Sequence, residues 1–163
     1  MGLPPDEIVR RINALLCKDN DTCMFVTLFV GRLDLAAGKL EYCNAGHPPL
    51  VVIRPDGTAE PLAAKRNLAA GVAEGFRYVS QTAEFAPGTQ LIVYTDGVTE
   101  AEREDHEQYG EKRLLAFASA HAKASPAELV ESLLRELDGF ATGGEQSDDI
   151  TALAIRVGAG TKS

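Results

Sequence analysis

The sequence predicts a segregated α+β fold, with two antiparallel sheet layers and helices outside them. Three observations carry that prediction. An amphipathic helical stretch opens the chain, strand-like runs then follow one another from Met24 to Thr95 with no helix between, and two helical stretches and a last strand close it. Alternating strands and helices would indicate parallel βαβ units, whereas runs of each indicate α+β. At 163 residues, 45% hydrophobic and 25% charged, with no internal repeat and no linker-like composition, residues 1–163 read as a single domain able to bury a core.

Pro4 and Pro5 precede DEIVRRINALLCKDN, in which Ile8, Ile12, Leu15 and Leu16 recur at helical spacing, giving one helix with a single apolar stripe. The polar break from Lys18 to Thr22 ends it. Met24 to Val30, MFVTLFV, is apolar throughout and reads as a central strand. With the turn at Leu35 to Gly38 and a strand from Lys39 to Asn44, it makes a long antiparallel hairpin. Leu50 to Arg54 and Thr58 to Pro61 form a second hairpin around the turn residues Pro55, Asp56 and Gly57. The small-residue segment Ala63 to Gly75 reads as an irregular loop. Arg77 to Phe85 and Gln90 to Thr95 read as strands joined by the turn Pro87-Gly88, closing a further hairpin.

Glu102 to Gln108, EREDHEQ, reads as a solvated loop that includes His106. Glu111 to Ala122 is a helix, with His121 a surface residue near its end, and Tyr109 just before it packs under the loop. Ser125-Pro126-Ala127-Glu128 opens another helix with a capping box, and Val130, Leu133, Leu134 and Leu137 supply its apolar face. Gly143 and Gly144 stop that helix. Ile150 to Val157 is the last strand, and Gly158 to Ser163 a frayed tail.

Charge narrows the function classes. With 24 acidic against 16 basic residues the net charge is −8, which disfavours nucleic acid and anionic membrane surfaces and favours proteins and small cations as partners. No apolar run approaches the roughly 20 residues of a membrane span, and the opening MGLPPDEIVR has no signal-like apolar region. Cys17, Cys23 and Cys43 are odd in number and lack metal-ligand spacing, so they read as small buried hydrophobes in a reducing, cytoplasmic setting.

Two acidic strand ends carry the chemistry. In LIVYTDGVTEA, the buried run Leu91 to Tyr94 leads into Asp96 and Gly97, so a carboxylate stands where a strand leaves its sheet and can hold a hard cation. In QSDDIT, Asp148 and Asp149 stand just ahead of the last strand. Asp56-Gly57 and Asp138-Gly139 are read as plain turns.

The stretch MFVTLFVGRLDLAAGKLEYCNAGHPPL, followed by YTDGVTEA, Tyr109-Gly110 ahead of a helix, and QSDDIT, closely resembles the C-terminal part of bacterial SpoIIE/RsbU-type phosphatases, members of the metal-dependent PPM (PP2C-like) serine/threonine phosphatases. The resemblance covers roughly Leu3 to Val157. It implies an αββα sandwich with two Mn²⁺ or Mg²⁺ ions at one edge, where a metal-activated water hydrolyses phosphoserine or phosphothreonine. The substrate it implies is a phosphorylated regulator of the anti-anti-sigma (STAS-like) kind, in sigma-factor and stress signalling. By the resemblance Asp96 and Asp148 match metal ligands. Asp149 supports the site, Gly97 lets the turn approach the metals, and Asn44, Gly46 and His47 belong to a loop placed near it. The family's first metal motifs contain Gly-Asp, and this sequence has no such dipeptide. The expectation is therefore a chain that starts after those motifs and their strands. No catalytic residue is assigned, His47 included. Two readings follow: part of an active phosphatase, or a catalytically incomplete phosphatase-like module acting as a regulatory adaptor. Sheet edges left open by missing strands would invite homodimerisation.

Overall fold

The computed structural model describes residues 2–18, 20–141 and 149–158. Within them lie three helices and two antiparallel sheets, the α+β class expected. The chain forms two compact units: residues 1–49 with 63–85, and residues 50–62 with 86–159.

The first unit holds α1 (Pro5–Leu16) and a three-stranded sheet of order β1-β2-β5, with β1 Leu28–Asp34, β2 Lys39–Ala45 and β5 Gln81–Glu84. Pro5 opens α1 at a position where its missing N–H costs nothing. Glu7 takes Arg10 and Arg11 into ion pairs at 2.7 and 2.8 Å. The buried face is Pro5, Val9 and Asn13 rather than the stripe of Ile8, Ile12, Leu15 and Leu16, and Leu15 is 73% exposed. Asn13 is accommodated at a buried position because both ends of its amide are hydrogen-bonded. Its Oδ1 accepts from Gly71 N (2.8 Å) and the Tyr78 hydroxyl (3.1 Å), and its Nδ2 donates to Ala73 O (3.0 Å). Val9, Cys43, Ala45 and Tyr78 form the adjoining apolar cluster.

The run Met24 to Val30 is not a central strand. Met24, Phe25 and Val26 are exposed, and β1 begins at Leu28 on the sheet's edge. The hairpin register explains the shift. Asp34 Oδ1 accepts from the amides of Ala36 and Ala37, both at 3.0 Å, fixing the turn, so Asp34 pairs with Lys39 and the ladder runs back to Leu28 opposite Ala45. Of the cysteines, Cys43 is buried, whereas Cys17 is half-buried and Cys23 exposed.

The second unit holds the sheet β4-β3-β6-β7, with β3 Val51–Ile53, β4 Ala59–Pro61, β6 Gln90–Tyr94 and β7 Ala152–Arg156. It also holds α2 (Gly110–Ala120) and α3 (Pro126–Phe140). The β3–β4 hairpin is as expected. No hairpin joins β5 to β6: β5 pairs with β2, whereas β6 pairs with β3 and β7. Around Pro87-Gly88, Phe85 N bonds to Gly38 O and Gly88 N to Val157 O, so the turn sends its two flanks to different partners.

Alternation along β3 and β6 sends Val51, Ile53, Ile92 and Tyr94 into a core completed by α2 and α3. From α3 that core takes Leu129, Leu133 and Leu137, while Val130 is half-buried and Leu134 is 43% exposed. The capping box at Ser125 is present with both of its hydrogen bonds. Gly143 and Gly144 lie outside the described residues.

Candidate metal centre

The central strand β6 is buried for most of its length and delivers the first acidic motif. After Tyr94 the chain stays extended at Thr95 and then makes one 3₁₀ turn, Asp96–Val98. Val98, fully buried in the core, pins that turn, and Val98 N donates to Thr95 O at 3.0 Å. Asp96 is exposed at the head of the turn. Its backbone carbonyl accepts from Glu100 N (2.8 Å) and Thr99 Oγ1 (3.1 Å), while its carboxylate accepts no hydrogen bond from the described residues. Gly97 is buried within the turn and is not in the left-handed region, so backbone freedom is not what calls for a glycine there.

The second motif arrives beside the first because β7 runs antiparallel to β6, with Ala152 opposite Tyr94. Beyond that pair, Thr95 N donates to Thr151 O (3.1 Å), Thr151 N donates to Thr95 Oγ1 (3.0 Å), and Thr95 Oγ1 donates to Asp149 O (2.9 Å). The backbone of Asp149 is thereby tied to the residue preceding Asp96. Asp149 is exposed. Asp148 lies outside the described residues. Thr95 is the residue sequence reasoning passed over. The only signal for it was a β-branched hydroxyl at a strand end between two acidic motifs.

The acidic loop that follows is solvated but held by internal contacts. A bridge between Glu102 and Gln108 closes it, and Tyr109 N donates to Ala101 O at 2.8 Å. Glu107 pairs with both Arg103 and Arg113, whose guanidinium groups lie 4.7 and 5.1 Å from the centre of the Phe140 ring. Tyr109 is buried beneath, and its hydroxyl donates to Glu136 at 2.7 Å. Burial, then that hydrogen bond, pushes its phenol well above the ordinary tyrosine range. His106 is almost fully exposed, whereas His121 is half-buried and stacks on Phe117 with ring centres 4.1 Å apart.

Asn44, Gly46 and His47 belong to the first unit. Asn44 closes a tight loop: its Nδ2 donates to His47 O (2.8 Å) and its Oδ1 accepts from His47 N (2.9 Å). Gly46 has φ +79°, and a Cβ there would stand 3.2–3.3 Å from Ala69. His47 Nδ1 lies 2.9 Å from Pro48 O, which fixes the ring. These contacts make the loop rigid, and the Asn44 amide is spent on shape.

As donors, Asp96 and the neighbouring acidic segment suit a hard divalent cation, which prefers carboxylate and carbonyl oxygens. Among the described residues no three His, Cys, Asp or Glu side chains gather into a metal site, so these residues fit such an ion in kind without forming a complete shell.

The fold, with its two antiparallel sheets and flanking helices, is that of PP2C-like phosphatase domains. Residues 1–158 match the family model for stage II sporulation protein E, and the chain belongs to the SpoIIE family. It is 34% identical to protein IcfG of Synechocystis over 90% of this chain and 23% of that protein. It is 26% identical to the phosphoserine phosphatase RsbU of Bacillus subtilis over 95% of this chain and 46% of that protein. The chain thus spans less than half the length of these relatives. The crystal structure of the RsbU and RsbW domains of Rv1364c from Mycobacterium tuberculosis superposes with a TM-score of 0.80 at 26% identity, over 97% of this chain and 43% of that one. Among the described residues, no helix is long and apolar enough to cross a membrane.

Proposed function

We propose that residues 1–163 act as one protein phosphatase domain that hydrolyses phosphoserine or phosphothreonine on a bacterial regulatory protein. The observation that carries the proposal is the β6–β7 register, which sets the ends of two acidic motifs side by side in a chain belonging to the SpoIIE family. The relative RsbU, itself a phosphoserine phosphatase, supports the reaction class. The substrate that fits this reading is a phosphorylated STAS-like anti-anti-sigma protein in the cytoplasm.

Asp96 and Asp148 would hold Mn²⁺ or Mg²⁺, as one or two ions. When bound, such ions supply an activated water and offset charge on the phosphoryl oxygens. The chain's own residues do the rest. The buried strand and Val98 hold Asp96 at a fixed height above the sheet edge. Its carboxylate is open to solvent and accepts no hydrogen bond from the described residues, which leaves those contacts intact when it binds a ligand. Asp149 and Gly97 shape the surroundings.

Turnover of p-nitrophenyl phosphate by this chain, with Mn²⁺ and with chelator, tests the proposal. The expected result is hydrolysis that needs the metal. A well-folded chain showing none, with or without Mn²⁺, would favour a phosphatase-like adaptor that binds its partner without chemistry.

A further inference from the structure

We infer that the Thr95 hydroxyl is a positioning group for the acidic site, locking the Asp149–Thr151 segment against Asp96; this rests on the metal-centre reading above. The regular β6–β7 ladder ends at Tyr94 opposite Ala152. One step further, Thr95 N still reaches Thr151 O in the manner of a ladder. The return bond is different. Thr151 N goes to the Thr95 side chain, and the same oxygen donates its proton to Asp149 O. A hydroxyl can accept and donate at once, which neither an aliphatic group nor an ammonium can do. It therefore joins two backbone groups of the second motif through one atom carried by the neighbour of Asp96.

The consequence is mechanical. Without this atom only the Thr95 N to Thr151 O bond would extend the ladder past Ala152, and the segment carrying Asp149 would have one tie fewer on each side of Ile150. With it, the spacing between the two acidic motifs is set before any ligand arrives, and a metal site gains affinity from ligands that need no further ordering. The β-branch of threonine restricts χ1, so the hydroxyl stays directed across the gap.

The test compares the wild-type chain with Thr95→Val, which keeps the shape and removes the hydroxyl, and Thr95→Ser, which keeps the hydroxyl. Mn²⁺ affinity is measured by calorimetric titration and the Thr151 amide by hydrogen exchange. Thr95→Val is expected to weaken Mn²⁺ binding by about tenfold to a hundredfold and to speed Thr151 exchange, with Thr95→Ser within about threefold of wild type. Thr95→Val binding Mn²⁺ as tightly as wild type overturns the inference. So does an equal loss in both variants with Thr151 exchange unchanged. If wild type itself binds Mn²⁺ no better than Asp96→Asn does, the metal-centre reading fails first, and the positioning role falls with it.

Discussion

Replacing Asn13 by leucine should destabilise the protein more than any loss of apolar contact would suggest. Leucine has nearly the same size and is more apolar, so burial alone would favour it. The structure predicts the opposite sign, because the Asn13 amide serves Gly71 N, which has no other acceptor among the described residues. Gly71 N loses its acceptor at 2.8 Å, while Ala73 O loses Asn13 Nδ2 at 3.0 Å but keeps Phe76 N at 3.4 Å, and the Tyr78 hydroxyl keeps Ala69 O at 3.3 Å. An orphaned buried polar group costs about 1–3 kcal/mol. The one orphan, Gly71 N, is only partly buried, so the net expectation is about 1–2 kcal/mol, a sizeable share of the 5–15 kcal/mol typical of a domain. For a chain of this size that corresponds to a melting point lower by roughly 2–8 °C. Urea unfolding followed by circular dichroism gives the stability, and hydrogen exchange at the Gly71 amide gives the local effect. A variant within about 0.5 kcal/mol of wild type, with Gly71 still protected, would refute this account of how α1 is held.

Other consequences are equally specific. At Gly71, φ is +97° and a Cβ would stand 2.7 Å from Met24 O, whereas at Gly75, φ is +71° with nothing within 4 Å. Gly71→Ala should therefore cost more than about 1 kcal/mol and distinctly more than Gly75→Ala; equal thermal midpoints for the two would contradict the packing described. All four tyrosines are shifted upward by burial, Tyr94 to about 12. Since the fold favours the neutral phenol while the unfolded chain ionises near 10, stability is intact below pH 10 and falls as pH rises above it, with Tyr94 contributing to that fall up to about pH 12. Tyrosinate absorbance should stay flat through pH 10 and then rise together with loss of the circular dichroism signal; a smooth titration centred at 10 in the folded protein would count against these burials.

The fold class was legible because its signals are local. Turn residues at Asp56-Gly57, the capping box at Ser125 and the apolar run from Leu91 to Tyr94 each act within a few residues of themselves. What misled was partnership at a distance. Nothing near Asn13 announces that Gly71 and Ala73 will satisfy it, so an apolar stripe on the neighbouring face looked the better candidate for burial. Met24 to Val26 are apolar enough for a core, yet Asp34 fixes the hairpin turn and leaves them beyond the ladder. Pro87-Gly88 has hairpin chemistry, but β5 and β6 find better partners elsewhere. At the site, Asp96 and its turn were readable from the motif. The tie through Thr95 was not, since it joins residues 54 and 56 positions apart by a single side-chain atom.

Phosphate release from a phosphoserine peptide, measured across a Mn²⁺ titration, tests the central claim most directly. Wild type is compared with Asp96→Asn and with Asp56→Asn, a second Asp-Gly aspartate whose carboxylate is occupied in capping Thr58 N at 2.9 Å. The account predicts Mn²⁺-dependent release that Asp96→Asn abolishes and Asp56→Asn leaves intact. Release that survives Asp96→Asn, or that ignores Mn²⁺ altogether, would remove Asp96 from the site and contradict the function assigned to it.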